Sequence, residues 1–351
     1  MRSLVIINTT GLIILMKNGG TYYMLLTCLT LVLAIIIIYY SCELFVNGIE
    51  WVGQKFNISQ CAIGTVLAAF GTALPESVVT LVAVAFNGTS EQKDIGVGAA
   101  MGGPLVLGTI AYAVVGLCII LFRKRRDLGT DIDIDSKKLC TDQLWFLSIF
   151  VFKVLLGFLV FNGKAFTALF FLAAYALYFK KEMSAECILP QEDLEPLKFK
   201  PHESDPALSW VLGQTIFSLI LISASSHLFV KNLELISALW NVPPLVVSLL
   251  LSPLATELPE ILNAVIWVRQ GKETLALGNI SGSMMIQATV PSALGIYFTP
   301  WLFDRHLLVA GVVTLVSIIY LLLTLKNNKL SPHRLVYAGL FYLVFAFTFF
   351  I

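Results

Sequence analysis

Two short stretches of this 351-residue chain carry residues able to do chemistry: Thr72-Ala73-Leu74-Pro75-Glu76 and Thr256-Glu257-Leu258-Pro259-Glu260. Each joins a hydroxyl, a proline and a carboxylate within five residues. Proline has no N–H, so in a helix the carbonyls four residues earlier, on Gly71 and Ala255, lose their donor. Freed carbonyls, hydroxyls and carboxylates are hard oxygen donors, the set that suits Ca2+, Na+ or a proton rather than a soft transition metal. Glu257 stands one turn before Glu260 on nearly the same helical face, so Glu76, Glu257 and Glu260 are candidates for one cation site. Two carboxylates close together in a dry site cannot both stay charged without a divalent cation or a proton beside them.

The two stretches are copies of one another. At an offset of 184, Leu44-Phe45-Val46 aligns with Leu228-Phe229-Val230, Glu50 with Glu234 and Asn57 with Asn241, and ten of the 33 positions from 44 to 76 are identical. After a four-residue slip, Gly98 faces Gly278 and Gly102 faces Gly282. Helix packing alone accounts for a single membrane proline, or for a glycine series such as Gly98, Gly102 and Gly103. It accounts poorly for Thr-x-Leu-Pro-Glu occurring twice with a carboxylate each time.

The elements that must position these residues are membrane helices. The chain is 58% apolar and 13% charged, against about 25% charged in a typical soluble domain. That composition excludes an ordinary cytoplasmic enzyme, and a net charge of +1 leaves no basic surplus for nucleic acid. A membrane helix needs about 20 mostly apolar residues. Such runs lie near 22–46, 59–86, 95–122, 143–161, 164–180, 209–239, 243–268, 274–299, 307–325 and 335–351. Breakers fall between them at Asn87-Gly88-Thr89, Asn162-Gly163-Lys164, Asn241 to Pro244, Arg269 to Lys272 and Asn327-Asn328. The sequence therefore predicts an all-α polytopic membrane protein of ten transmembrane helices.

Lys and Arg stay on the cytoplasmic side during insertion. They cluster after spans three (Arg123 to Arg126, Lys137, Lys138), five (Lys180, Lys181, Lys198, Lys200), seven (Arg269, Lys272) and nine (Lys326, Lys329, Arg334). Odd spans thus end inside, and both termini lie outside. Five spans per half is an odd number, so the second copy enters from the opposite side, the inverted plan of many secondary transporters, whose site lies near the midplane. Residues 22–180 and 209–351 form the two five-helix repeats. Residues 181–208 read as a solvated tether, and residues 1–21, with Arg2 and the apolar run Ser3 to Met16, as a leader or an extension of span one.

Other polar residues draw blander expectations. Glu43 and Glu50 can serve the site or simply reach water at the inner end of span one. His227, at the position equivalent to Glu43, reads as a hydrogen-bonded structural histidine sooner than a proton relay. Lys153 in span four is expected to snorkel or pair locally. Asp131, Asp133 and Asp135 read as a solvated charge run beside basic residues. The six cysteines show no CxxC pair, and no disulfide or zinc site is assigned.

At the motif residues the chain resembles the cation/calcium exchanger superfamily, in its prokaryotic sodium/calcium exchanger-like branch. That family's repeats carry G-T-S-L-P-E, followed by G-N-x-x-G-S-N and preceded by a D-L-L-V-x-G-like segment. The matching runs are Glu43-Leu44-Phe45-Val46-Asn47-Gly48, Ala69-Phe70-Gly71-Thr72-Ala73-Leu74-Pro75-Glu76, Ala255-Thr256-Glu257-Leu258-Pro259-Glu260 and Gly278-Asn279-Ile280-Ser281-Gly282-Ser283. The resemblance implies a ten-helix antiporter whose two Pro-Glu carboxylates chelate the cation, aided by threonine and serine oxygens and by polar residues of spans three and eight. Carried over by position, Glu76, Glu260, Thr72, Thr256 and Ser283 match. Ala73 and Glu257 replace the two motif serines, and Ala255 replaces the second repeat's glycine. In span three Gly102-Gly103-Pro104 replaces G-S-N and Leu107 replaces an amide or acid; in span eight Met284 replaces asparagine and Gln287 the acidic or amide ligand.

The expected ligands are therefore Glu76, Glu260, Thr72, Thr256, Glu257, Ser283 and Gln287. Three ionised glutamates would be neutralised by Ca2+ plus one proton, or by protons or monovalent cations in the return step. The expected function is secondary antiport of Ca2+, or another hard cation, for Na+ or H+. No cofactor is expected. The expected partners are inorganic cations and the lipid bilayer, with no nucleic acid, a monomer as the working state and the prokaryotic inner membrane as the location. A transport-inactive cation sensor or scaffold that retains the fold is the alternative. An enzyme is not expected, since no nucleophile and base pair, His-rich metal set or nucleotide loop is present.

Overall fold

The computed structural model describes residues 2–58, 62–81, 84–85, 90–126, 129–132, 134–184, 194–239, 250, 252–326 and 330–348. The side chains of 2–23, 74–76, 78–79, 90–95, 226, 229–231, 233–234, 236–239, 252 and 255 are not among them. The expected turns at 87–89, 241–244 and 327–328, with Asp133, Cys61 and Cys187, lie outside the described residues.

In lipid every backbone polar group must be satisfied within the protein, and apolar runs of this length do so as helices. Span one lies within a helix from Arg2 to Lys55, which also takes in residues 2–21. Span two begins as a π-helical stretch, Ile63–Ala68, and continues as an α-helix, Ala69–Leu81. Span three comprises Ser90–Val106, a π-helical stretch Leu107–Ala111 and Tyr112–Phe122. Ser136–Leu156 forms span four, Thr167–Met183 span five and Leu208–Leu239 span six. Span seven is two pieces, Ser252–Thr256 and Leu258–Arg269. Glu273–Phe298, Arg305–Lys326 and Pro332–Phe347 complete the set as spans eight to ten. Each expected span thus coincides with a helical segment, and no strand occurs among the described residues. Five of the segments are long and apolar enough to cross a membrane by that criterion alone.

Span eight is the hub, buried along nearly its whole length and packed against spans two, three, four, five and seven. Its closest approach is to span two. A Cβ on Gly282 would stand 2.0 Å from the Thr65 carbonyl oxygen, so the crossing requires glycine. Spans one and six lie against each other more extensively than any other pair. Large apolar side chains such as Leu121, Val160, Leu169 and Ile220 face outward, where lipid is a suitable solvent.

Ion pairs gather at the end of the bundle where the basic clusters lie. Glu43 accepts from Arg269 at 2.9 Å and from Tyr39 at 2.9 Å. Glu50 accepts from Lys272 at 2.6 Å and from the Trp267 indole at 2.8 Å. Both glutamates are thereby committed to the turn between spans seven and eight. Arg126 pairs with Glu273 at 2.5 Å, both side chains being 1% exposed. Asp135 is exposed, as expected of a solvated charge run, and also caps span four by accepting from the Lys137 and Lys138 amides at 3.0 Å. His227 is exposed on span six, not a structural histidine of the interior. Cys28, Cys42, Cys118 and Cys140 are free thiols.

Two expectations are corrected by packing. The tether is anchored: Asn47 of span one donates to the Glu195 and Pro196 carbonyls at 3.3 Å and accepts from the Lys198 amide at 3.0 Å. The Trp51 indole reaches Glu195 O at 2.9 Å, Gln214 of span six accepts from the Phe199 amide at 2.8 Å, and Leu197 is fully buried. Gln214 also donates to Leu44 O and to Asn47 Oδ1, each at 2.9 Å, so the segment clasps spans one and six together. The second correction is Lys153, which does not snorkel. Its side chain is fully buried and its ammonium turns inward, because Phe150, Trp301 and the Ala100 carbonyl surround it.

Candidate functional site

The two Thr-x-Leu-Pro-Glu stretches sit in spans two and seven, and their local structure differs. In span two the helix runs from Ala69 to Leu81 through Pro75. In span seven it is interrupted at Glu257, whose backbone leaves the helical run with φ −84° and ψ 2°. The second repeat holds two prolines here, Pro253 and Pro259, where the first holds Ala69 and Pro75. Two missing N–H groups six residues apart leave that stretch less able to sustain its ladder.

At the break, Glu257 faces the interior, and its backbone still donates to Pro253 O at 3.0 Å and accepts from the Ile261 amide at 3.1 Å. Its carboxylate is fully buried and accepts from the Gln287 amide of span eight at 2.7 and 2.8 Å, one contact to each oxygen. A carboxylate only accepts, so the amide nitrogen must be the group that faces it. Space for the pair comes from span three. A Cβ on Gly103 would lie 2.3 Å from Gln287 Oε1 and 2.9 Å from Glu257 Oε1. The serine-to-glycine departure at 103 and the serine-to-glutamate departure at 257 are thus two sides of one contact.

Glu260 is 1% exposed, and its backbone carbonyl accepts from Asn279 Nδ2 at 3.2 Å. The Pro259 carbonyl faces the Cys42 thiol of span one at 3.8 Å. Thr72 is buried and donates to Ala68 O at 3.0 Å; Thr256 is half-buried and donates to Pro253 O at 3.3 Å. In both threonines the hydroxyl proton is used within its own helix, which leaves oxygen lone pairs as what each offers. Ser283 is fully buried and its Oγ has no hydrogen-bond partner among the described residues. Ala73 packs with Ala69 against Ile286, which sets span two beside the Gln287 segment of span eight. The Glu76 side chain lies outside the described residues. Among the described residues no three His, Cys, Asp or Glu side chains form a metal cage.

Sequence reasoning missed Asn263 and undervalued Asn279. Asn263, one turn beyond Glu260, is fully buried, and among the described residues neither its amide atoms nor Asn279 Oδ1 has a hydrogen-bond partner. Buried amides of this kind carry a cost of about 1–3 kcal/mol unless something engages them. Asn279 was visible in the repeated Gly-Asn segment. Asn263 lies outside both motifs, and its only signal is an amide in an apolar run.

The family profile described as "Sodium/calcium exchanger protein" matches residues 26–179 and 210–351, most of the chain and both halves. The chain belongs to the sodium/calcium exchanger family. In sequence, the chain is 25% identical over 301 residues to CaxA of Alkalimonas amylolytica, provisionally named an antiporter, covering 84% of this chain and 88% of that one. It is 25% identical over 307 residues to the inner membrane protein YrbG of Escherichia coli, covering 85% and 88%. In structure it is similar to the sodium-calcium exchanger NCX_Mj, with TM-score 0.70 at 22% identity over 92% of this chain and 98% of that chain. The exchanger-family fold is therefore established: all-α and polytopic, with two inverted five-helix repeats.

Proposed function

We propose that this exchanger-family chain is a secondary antiporter that moves Ca2+, or another hard cation, against Na+ or H+ by alternating access. The observation that carries the reading is the burial of Glu257 and Glu260 together on span seven, with the Glu257 carboxylate held by Gln287 of span eight. Buried carboxylates in a membrane helix are costly unless they are paired or engage a cation, and they mark ion pathways more often than packing. Glu76, Glu260, Thr72, Thr256, Glu257, Ser283 and Gln287 are assigned as the oxygen ligands, with Glu76 placed by its motif. Six to eight oxygens of flexible geometry favour Ca2+ over Mg2+. Three carboxylates and one Ca2+ leave one negative charge to be balanced before the site can be occluded.

Spans one and six are assigned as the pair that slides across the fixed site, with both termini outside and a monomer as the working unit in a prokaryotic inner membrane. The clasp at Asn47 and Gln214 supports treating the two spans as one moving body. The loss of side-chain oxygens at Ala73, Gly103 and Leu107 favours a second reading, a cation-binding sensor without flux. One experiment separates them: 45Ca2+ uptake into proteoliposomes under an imposed proton gradient, then a sodium gradient. Uptake driven by one gradient and lost in Glu76→Gln and Glu260→Gln establishes the antiporter and names the counter-ion. Calcium binding without uptake under either gradient establishes the sensor.

A further inference from the structure

Lys153 takes no part in the site as described, yet its surroundings are those of a bound cation. Pro104 sits in span three and has no N–H, so the carbonyl four residues back, that of Ala100, loses its helical donor. Lys153 of span four supplies one, Nζ donating to Ala100 O at 2.7 Å. The ammonium lies 5.1 Å from the Phe150 ring centroid and 5.9 Å from that of Trp301. A freed carbonyl and two aromatic faces are groups that hold positive charge. Trp301 is brought there at some cost: its φ of +50° lies in the left-handed region, and its indole donates to the Lys153 carbonyl at 3.2 Å.

The position of this charge matters. Gly103, which makes room for the Glu257 carboxylate, follows Ala100 by three residues, about 4.5 Å along the helix. The same short segment, Ala100 to Pro104, therefore meets a fixed ammonium at Ala100 and, one turn on at Gly103, the carboxylate that this chain carries where the family has serine. It is also the segment in which the first repeat has lost its serine and asparagine. We infer that the Lys153 ammonium is a tethered cation, built into the protein, that replaces one exchanged monovalent cation and balances the third carboxylate, Glu257. The inference rests on the proposed three-glutamate site and supplies its missing charge: three carboxylates and one lysine leave two negative charges, which one Ca2+ neutralises without a proton.

Charge exchange tests this in the full-length protein, by 45Ca2+ uptake into proteoliposomes under the gradient that drives the wild type. Lys153→Met leaves the Ca2+-loaded site one charge negative and Glu257→Gln leaves it one charge positive, so each is expected to lower uptake at least about tenfold, since an occluded net charge is costly. The double variant is neutral again and is expected to recover at least about threefold over either single variant, while staying below wild type because a ligand is altered. Lys153→Arg keeps the charge and is expected to keep uptake. A purely structural lysine gives no such rescue, because Glu257→Gln does not restore the contacts that Lys153→Met removes from Ala100, Phe150 and Trp301. If Lys153→Met does not fold, Glu257→Gln alone decides: full uptake in that variant means that Lys153 is not counted in the charge balance and overturns the inference. Failure of rescue with an active wild type likewise overturns the inference alone, whereas uptake unaffected by Glu260→Gln, or no uptake in the wild type, overturns the site reading beneath it.

Discussion

Replacing Gly103 by alanine puts a methyl group into the Glu257–Gln287 contact. The added carbon would stand 2.3 Å from Gln287 Oε1, 2.8 Å from its Cδ and 2.9 Å from Glu257 Oε1. Relief requires the amide oxygen to retreat by about 1 Å, and overpacking of this kind costs about 1–3 kcal/mol. The retreat turns the amide nitrogen away from a carboxylate it holds at 2.7 and 2.8 Å, a hydrogen bond to charge that contributes about 1.5–3 kcal/mol. The two costs are alternatives, since the side chains yield in whichever way is cheaper. A net loss of about 2 kcal/mol follows, equivalent to roughly thirtyfold in apparent Ca2+ affinity. Half-saturation of 45Ca2+ uptake measures it, with Ca2+-dependent thermal stabilisation in detergent as a second readout. Gln287→Ala removes the atoms in the way, so the double variant is expected to be no worse than Gln287→Ala alone. A harmless Gly103→Ala, or effects that simply add, would refute the reasoning.

Three further outcomes are expected. Arg126→Met strands the buried Glu273 carboxylate, and loss of one partner of such a pair costs about 3–5 kcal/mol; it should lower the melting temperature in detergent far more than Arg126→Met combined with Glu273→Leu. Arg269→Ala breaks the Glu43 pair, which is 40% and 27% exposed, and should shift stability by less than about 1 kcal/mol in the same assay. Asn47→Ala removes the contacts that hold the 195–198 backbone and should speed proteolytic cleavage of that segment severalfold, read by gel densitometry against time.

Much of this was legible in the chain. Helical spans show themselves by hydropathy over about 20 residues, and the repeated Thr-x-Leu-Pro-Glu marks Glu260, while Glu257 showed as a second carboxylate one turn before it. What stayed hidden depends on azimuth and on pairing at a distance. A lysine in an apolar run reads the same whether it reaches for lipid headgroups or turns inward, so the burial of Lys153 was invisible until Pro104 of another span supplied its acceptor. Asn47 and Gln214 are separated by 167 residues, and no local pattern announces their hydrogen bond. Symmetry of sequence also suggested symmetry of interruption. Span seven breaks at Glu257 while span two runs through Pro75, because Pro253 has no counterpart at Ala69.

The pairing of span one with span six has a consequence for how the chain is made. Roughly 170 residues separate the middle of span one from the start of span six, which at about 5–20 residues per second is some ten to thirty seconds of synthesis. Throughout that interval span one has been threaded into the bilayer without its principal neighbour. Glu43 and Glu50 wait longer still, since Arg269 and Lys272 emerge later than span six. The first repeat therefore cannot mature as a unit during translation. Separately expressed halves, divided before the segment that Asn47 grips, would meet their partners in the order nascent chains already do, and co-expression should yield an assembled transporter from two polypeptides.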